Sequence, residues 1–404
     1  MSNFTDFFPA AVGVDLQSSV KTANFTAVAN EGYLVNTTSS AITVTLPSSP
    51  SLGDEILIID YAETFTTNNV TLTSPNNILG SSENRKISSN NASVTLVYTD
   101  ATKGWKEKTG ANEGNAATSP PTIGVDFLVV AGGGGGCKAS PGSIGGPGGG
   151  AGGLRTSFGS ASGGGASAET TLQLSASTNF TVTVGSGGSG ASSDASGADG
   201  SNSIFSTITS IGGGGGAKYQ TAGRSGGSGG GVYAGSSIGS GTANQGFNGG
   251  TTTSGSSGGA GGGAGAVGVT GSQSSSTKPD GGAGLAVSIT GASVTYAGGG
   301  GGGQYLSETG GPGAGGSGVG GAGSGSSSAP GGDGTTNTGS GGGGGFTNQS
   351  TVTNGGNGAS GVVILRYANT HTISVGSGLT SSTTTNGSHK ITSFTAGTGT
   401  ISFT

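Results

Sequence analysis

The chain holds one cysteine, two histidines and eleven prolines in 404 residues, and only 8% of it is charged. The single cysteine, Cys137, excludes an internal disulfide framework. Collagen needs glycine at every third position and abundant proline; contiguous glycine runs and eleven prolines exclude it. No stretch approaches the roughly 20 apolar residues of a membrane helix, so no membrane insertion is expected. A net charge of −5 without a basic cluster argues against nucleic acid as a partner. The start, MSNFTDFFPAAVGVD, has neither a basic segment nor an uninterrupted apolar core and reads as no signal peptide. His371 and His389 have no acidic or cysteine neighbour at ligand spacing, so neither a metal nor any other cofactor is expected.

What the chain has is glycine, and its placement matters more than its amount. Of 95 glycines, 81 fall within residues 131–360. That region carries five basic and six acidic residues, so no net charge holds it expanded as in a disordered segment. Ordering glycine costs more conformational entropy than ordering any other residue, so something in the fold must offset it. The runs are organised. Residues 132–136 are followed by CKASPGSI, 212–216 by AKYQTAGRS, 298–303 by QYLSET and 341–345 by FTNQSTVTN. Each polar segment differs, and each leads to a further Gly-Gly pair.

The flanking sequence reads as all-β. Residues 1–22, with Phe4, Phe7 and Phe8, are too few to fold alone and suit an attachment peptide. Residues 23–108 carry short strands at turn-punctuated spacing, which predicts a small sandwich or barrel. In AITVTL, period-two alternation places Ile42, Val44 and Leu46 on one face. EILIID is a continuous apolar run that suits a strand buried on both sides. Residues 109–123 read as a linker ending in Pro-Pro. DFLVVA opens and GVVILRYA closes a glycine-rich domain over residues 124–368, and their pairing would make it one compact body. Residues 369–404 continue as a C-terminal β segment.

Enzymatic readings find little support. GGGGGAKYQ misses the phosphate-loop pattern at two positions. GADGSNSIF and GGDGTTNT resemble calcium-binding nonapeptides distantly but occur singly, so Asp199 and Asp333 read as turn residues. Carboxylate pairs such as Asp54/Glu55 and Asp60/Glu63 read as solvated charges. No nucleophile–base pair is evident, and the expectation is a protein that is not an enzyme.

The succession of strand, glycine run and variable loop, closed by GVVILRY, resembles the glycine-rich domain of bacteriophage tail-fibre adhesins. ANFTAVANEGYLVNTTSSAITVTLPSSPSLGDEILIIDYAETFTTNNVTL, with VYTDATKGWK after it, is similar to a β-module of structural proteins in marine and cyanobacterial phages. The resemblance implies glycine segments in polyproline-II-like helices packed side by side, with loops between them touching a host receptor. Such helices have no internal hydrogen bonds, so only chains lacking side chains approach closely enough to bond laterally. It also implies a virion protein assembled in the host cytoplasm, present as a homotrimer and joined to other virion proteins through its N-terminal segment. The receptor would be a glycan or an outer-membrane protein. The contact candidates are Lys138, Lys218, Tyr219, Gln220, Arg224, Gln304, Tyr305, Phe346, Asn348 and Gln349, with Tyr219, Tyr305 and Phe346 alternatively capping the glycine array. The competing expectation is a purely structural virion component, such as a head or neck fibre or decoration protein.

Overall fold

The computed structural model describes residues 14–108, 118–119 (backbone only), 122–140, 144–252, 257–272, 277–306, 310–348 and 350–404. Among these there is no α-helix, and the chain divides into two compact units at Thr122/Ile123. Most of the proposed attachment peptide and linker, and Gln349, lie outside the described residues.

In the first unit the strands are β1 (Asp15–Leu16), β2 (Phe25–Thr26), β3 (Glu31–Val35), β4 (Ile42–Thr45), β5 (Glu55–Asp60), β6 (Val70–Thr73), β7 (Arg85–Ile87), β8 (Ser93–Asp100), β9 (Gly104–Glu107) and β10 (Thr118–Ser119). They form two sheets, ordered β1-β3-β5-β8-β9 and β10-β7-β6-β4-β2. Up to β6, successive strands alternate between the sheets and pair in parallel with the next but one. The chain therefore coils around its core before antiparallel β7, β8 and β9 close it. Of the expected sandwich or barrel, the two sheets make the sandwich, whereas the parallel winding is not written in turn spacing. The turn at Asn30 (φ 69°) sends β2 and β3 to different sheets, and its side chain accepts a hydrogen bond from Glu55 N at 3.0 Å.

Between the sheets Ile42, Val44, Leu46, Ile56, Ile58, Val70, Leu72, Leu96 and Trp105 are wholly buried. The alternation in AITVTL is thus real. EILIID, by contrast, is buried on one face only: Ile56, Ile58 and Asp60 point inward, while Leu57 and Ile59 are half-exposed. Its sheet has a single packed layer beneath it. Asp15 and Leu16 belong to this unit, and Thr118–Ser119 pairs with β7, so segment and linker boundaries at 22 and 109 do not mark where pairing stops. Asp60 accepts from the backbone N–H of Thr64, Phe65 and Asn91, and Asp54 from Ser51, so both hold turns.

The second unit contains β11 (Thr122–Val130), β12 (Leu154–Thr156), β13 (Leu172–Ser175), β14 (Phe180–Thr183), β15 (Ser203–Phe205), β16 (Ile208–Ser210), β17 (Leu285–Val287), β18 (Val294–Tyr296), β19 (Val362–Ala368), β20 (Ile373–Val375), β21 (Leu379–Asn386) and β22 (His389–Phe403). β11 pairs antiparallel with β19 from Val125↔Tyr367 to Val130↔Val362, as the two apolar runs implied. Residues 127–130 of β11 and 362–365 of β19 are covered on both faces. Phe127, Val129, Val363 and Leu365 share one core with Phe394 and Phe403, and Leu128, Val130 and Ile364 share another with Leu154 and Ile391. Two-sided burial is why these runs lack polar alternation. The tail does not form a segment of its own: β22 pairs with β19 and β21 along its first half and with β14 and β20 along its second.

Candidate functional site

Glycine segments leave these strands as threefold helices, and the hydrogen bonds show it directly. Gly132, Gly133 and Gly134 donate to the carbonyls of Ser201, Ala359 and Gly150; Gly135, Gly136 and Cys137 donate to Ala198, Gly356 and Pro147. Every third residue returns to the same neighbour, three residues earlier in its sequence, so these three neighbours run antiparallel to it. The carbonyls show the same period with three parallel neighbours, Gly132 and Gly135 accepting from Gly213 and Gly216, Gly133 and Gly136 from Gly188 and Ala191, Gly134 and Cys137 from Gly342 and Gly345. A period of three defines polyproline II, and Gly315 shows its angles at φ −71°, ψ 142°. One run thus sits among six neighbours in a hexagonal array, with every N–H and C=O bonded sideways. Residues 299–304 form a second such centre, donating to Gly282, Gly149, Gly321, Pro279, Gly146 and Ser324. Lateral bonding of all backbone groups offsets the entropy of ordering glycine.

Where the array ends, a missing neighbour carbonyl is replaced by a side chain. Gly215 donates to Asp199 Oδ1 at 2.9 Å and Gly212 to Asn202 Oδ1 at 2.9 Å, acceptor and donor pairs alike being three residues apart. Asn248, Asp280, Asp333 and Asn357 do the same for Gly241, Ala314, Asn357 and Gly190. Asp199 and Asp333, read from sequence as turn residues, are therefore edge acceptors of the array. The readable signal was an Asp or Asn flanked by small residues at period three, as in ADGSN.

The four glycine runs are parallel and level. Gly213 and Gly216 donate to Gly132 and Gly135, Gly342 and Gly345 to Gly134 and Cys137, and Gly341 and Gly344 to Gly298 and Gly301, each pair in ascending order. At about 3.1 Å per residue, each run carries its loop about 16 Å from the sheet. All four loops therefore emerge at one end. Segment 188–191 runs the same way and adds loop 191–196, which the sequence did not single out.

At that end Lys218 Nζ pairs with Asp194 at 2.7 Å, and Lys138 Nζ donates to Ser192 O at 3.0 Å. Tyr219, 36% exposed, stands edge-on to buried Tyr233 with centroids 5.4 Å apart. Gln220 is exposed at the turn (φ 59°). Arg224 Nε donates to Asp199 Oδ1 at 2.6 Å and its second nitrogen bonds the other oxygen, so it braces the acceptor of Gly215. Arg224 is for that reason a scaffold residue as well as an exposed one. Gln304 and Phe346 are each only 7% exposed and do not present a contact surface. Their backbones close the array, Thr347 N donating to Gln304 O and Phe346 N to Thr353 Oγ1. Tyr305 bridges to Thr347 and is half-buried. Asn348 spends its Oδ1 on the N–H groups of Ser350 and Thr351. The nine described candidates thus separate into an exposed set around Tyr219 and Gln220 and a supporting set, Gln349 lying outside the described residues.

Cys137 lies buried beneath this end, its sulfur 3.1 Å from Lys138 O. Burial first, and then the charge of Asp194, push its thiol from 9.0 up to about 12. Burial likewise raises Tyr233. Both folded values exceed the unfolded ones, so the neutral forms contribute stability that is fully present below about pH 9 and lost as pH climbs towards about 12. Urea unfolding at about pH 8 and about pH 11 should show the fall, and Cys137→Ala should reduce it. An equal fall in the variant would remove the thiol from this account. Native Cys137 should also resist thiol reagents that label the unfolded chain.

Among the described residues no group of three or more His, Cys, Asp or Glu could hold a metal ion, and no helix is long and apolar enough to cross a membrane. No curated protein matches this sequence. A family model described as a glycine-rich domain matches residues 108–368, from the end of β9 to the end of β19. That match takes in the whole hexagonal array and more than half the chain, and the protein belongs to this glycine-rich domain family.

Proposed function

We propose that the chain is a phage virion fibre protein that attaches its particle to a host cell surface through the loops at the far end of the glycine array. One observation carries the reading: four dissimilar loops follow four parallel, level glycine runs and so share one end. A rigid scaffold bonded mainly through backbone, with Asp and Asn side chains only at its edge, lets most loop residues change at little cost to the fold, an arrangement suited to recognition. The N-terminal segment would join other virion proteins, with three chains about one axis. A purely structural fibre or decoration protein is the second reading. It is favoured by the internal engagement of Lys138, Lys218, Arg224, Gln304 and Asn348 described above.

Adsorption of purified protein to susceptible cells separates the two. Tyr219→Ala with Tyr305→Ala should lose about 2 kcal/mol of binding, roughly thirtyfold, because aromatic residues dominate interface energetics. Arg224 is left intact, since its loss would disturb Asp199. Equal adsorption at equal melting temperature would favour the structural fibre.

A further inference from the structure

A cleft of about 210 Å³ opens at the loop end of the array, between residues 327–330 and 352–354. Its walls are fixed before any ligand arrives. Ser324, 5% exposed, donates to Ala329 O at 2.6 Å, and buried Thr353 accepts from Phe346 N at 2.7 Å. Gly331 N donates to Asn354 O at 2.9 Å and ties one wall to the other. Ser327, Ser328 and Asn354 bring hydroxyl and amide groups to the cleft, and Pro330 and Val352 bring apolar surface. None of its lining residues is charged. Among the described cations of the loop end, Lys138, next to the Ala139 that bonds Thr353 O, donates to Ser192 O, Lys218 pairs with Asp194 and Arg224 with Asp199, and neither these nor exposed Lys278 is among the lining residues.

We propose that this cleft is a subsite for one ring of a neutral host-surface glycan, an inference that rests on the adhesin reading. Sugar hydroxyls match the Ser and Asn groups as donors and acceptors, and the C–H face of a ring matches Pro330 and Val352. A sulfated, phosphorylated or carboxylated sugar calls for a cation in the lining, where charge-assisted bonds would be made. The volume lies below the roughly 300 Å³ of pockets that enclose a drug-sized ligand, which fits a single ring on a longer chain. A protein receptor needs about 800 Å² of surface per partner and would not depend on this cleft.

The test uses the full chain, immobilised neutral oligosaccharides with their sulfated counterparts, and susceptible cells with and without periodate oxidation of their glycans. Neutral oligosaccharide should bind better than its sulfated form. Cell adsorption should change less than about twofold as salt rises from about 0.1 to about 1 M, although screening shortens from about 10 Å to about 3 Å. Periodate should abolish it. Ser328→Trp, which fills the cleft, should weaken both kinds of binding about tenfold or more, and Asn354→Ala should weaken them less, each with unchanged melting. Adsorption that survives periodate but not protease, or that collapses with salt, overturns the neutral-glycan subsite while leaving the adhesin reading intact. Oligosaccharide binding without any cell adsorption keeps the subsite and overturns the adhesin reading; absence of both overturns both.

Discussion

Gly300→Val should abolish folding of the glycine-rich unit. A Cβ at Gly300 would overlap the carbonyl of Gly342, well inside the 3.0 Å that such atoms keep, and would press on Gly149 N at 3.2 Å. Gly134→Val should do the same against Gly214. An ordinary overpacked core absorbs an extra methyl at about 1–3 kcal/mol by moving side chains. Here the obstacle is backbone, and each neighbouring backbone is bonded to neighbours of its own. Moving one helix away breaks its lateral hydrogen bonds, and each unmet buried group costs about 1–3 kcal/mol. Several such losses exceed the roughly 5–15 kcal/mol net stability of a domain. Gly124→Ala on β11 is the control, since its added Cβ would meet Gln173 and Thr171 at ordinary distances of 3.6 and 3.7 Å. Circular dichroism and protease resistance check the outcome. A soluble, protease-resistant Gly300→Val protein would sink the packed array.

A chain ending at Ala368, where the family match ends, should fail to give a cooperative, soluble second unit. Removing residues 369–404 strips β19 of its β22 partner and takes Ile391, Phe394, Ile401 and Phe403 from the two cores. Trimming one such buried side chain to alanine costs about 2–5 kcal/mol; losing four, with the ladder beside them, leaves no margin. The side-chain chain Tyr367–Thr392–Thr383, at 2.9 Å for each link, goes too. Thermal melting and limited proteolysis of the truncated and full chains decide this. A truncated protein melting like the full one would make the tail an appendage.

Burial on two faces left a mark in the sequence at β11 and β19, where apolar residues run without interruption. EILIID carries the same mark, yet β5 is covered on one face only, because composition cannot state whether a second layer exists. Ordered glycine runs were legible as composition, whereas their helical, laterally bonded packing entered as what the resemblance to phage adhesins implies. The site was legible in part. Variable loops after glycine runs stood out, but no sequence rule tells a surface Tyr219, three positions after its glycine run, from a buried Phe346, directly after its own. The cleft residues were invisible, since Ser327, Ser328 and Asn354 look like any other serine or asparagine in such a chain.

The sequence by itself determined an all-β chain with a glycine scaffold, for local reasons: period-two alternation makes strands, and residues without Cβ are the ones that pack backbone to backbone. Only the tertiary structure decided that the four runs are parallel and level, that Asp and Asn at period three finish the array's edge, that Arg224 serves Asp199, and that residues 369–404 complete the sheet. Those features depend on which distant segment lies beside which. A glycine helix offers the same N–H and C=O groups in every direction, so nothing in its own residues names its neighbours.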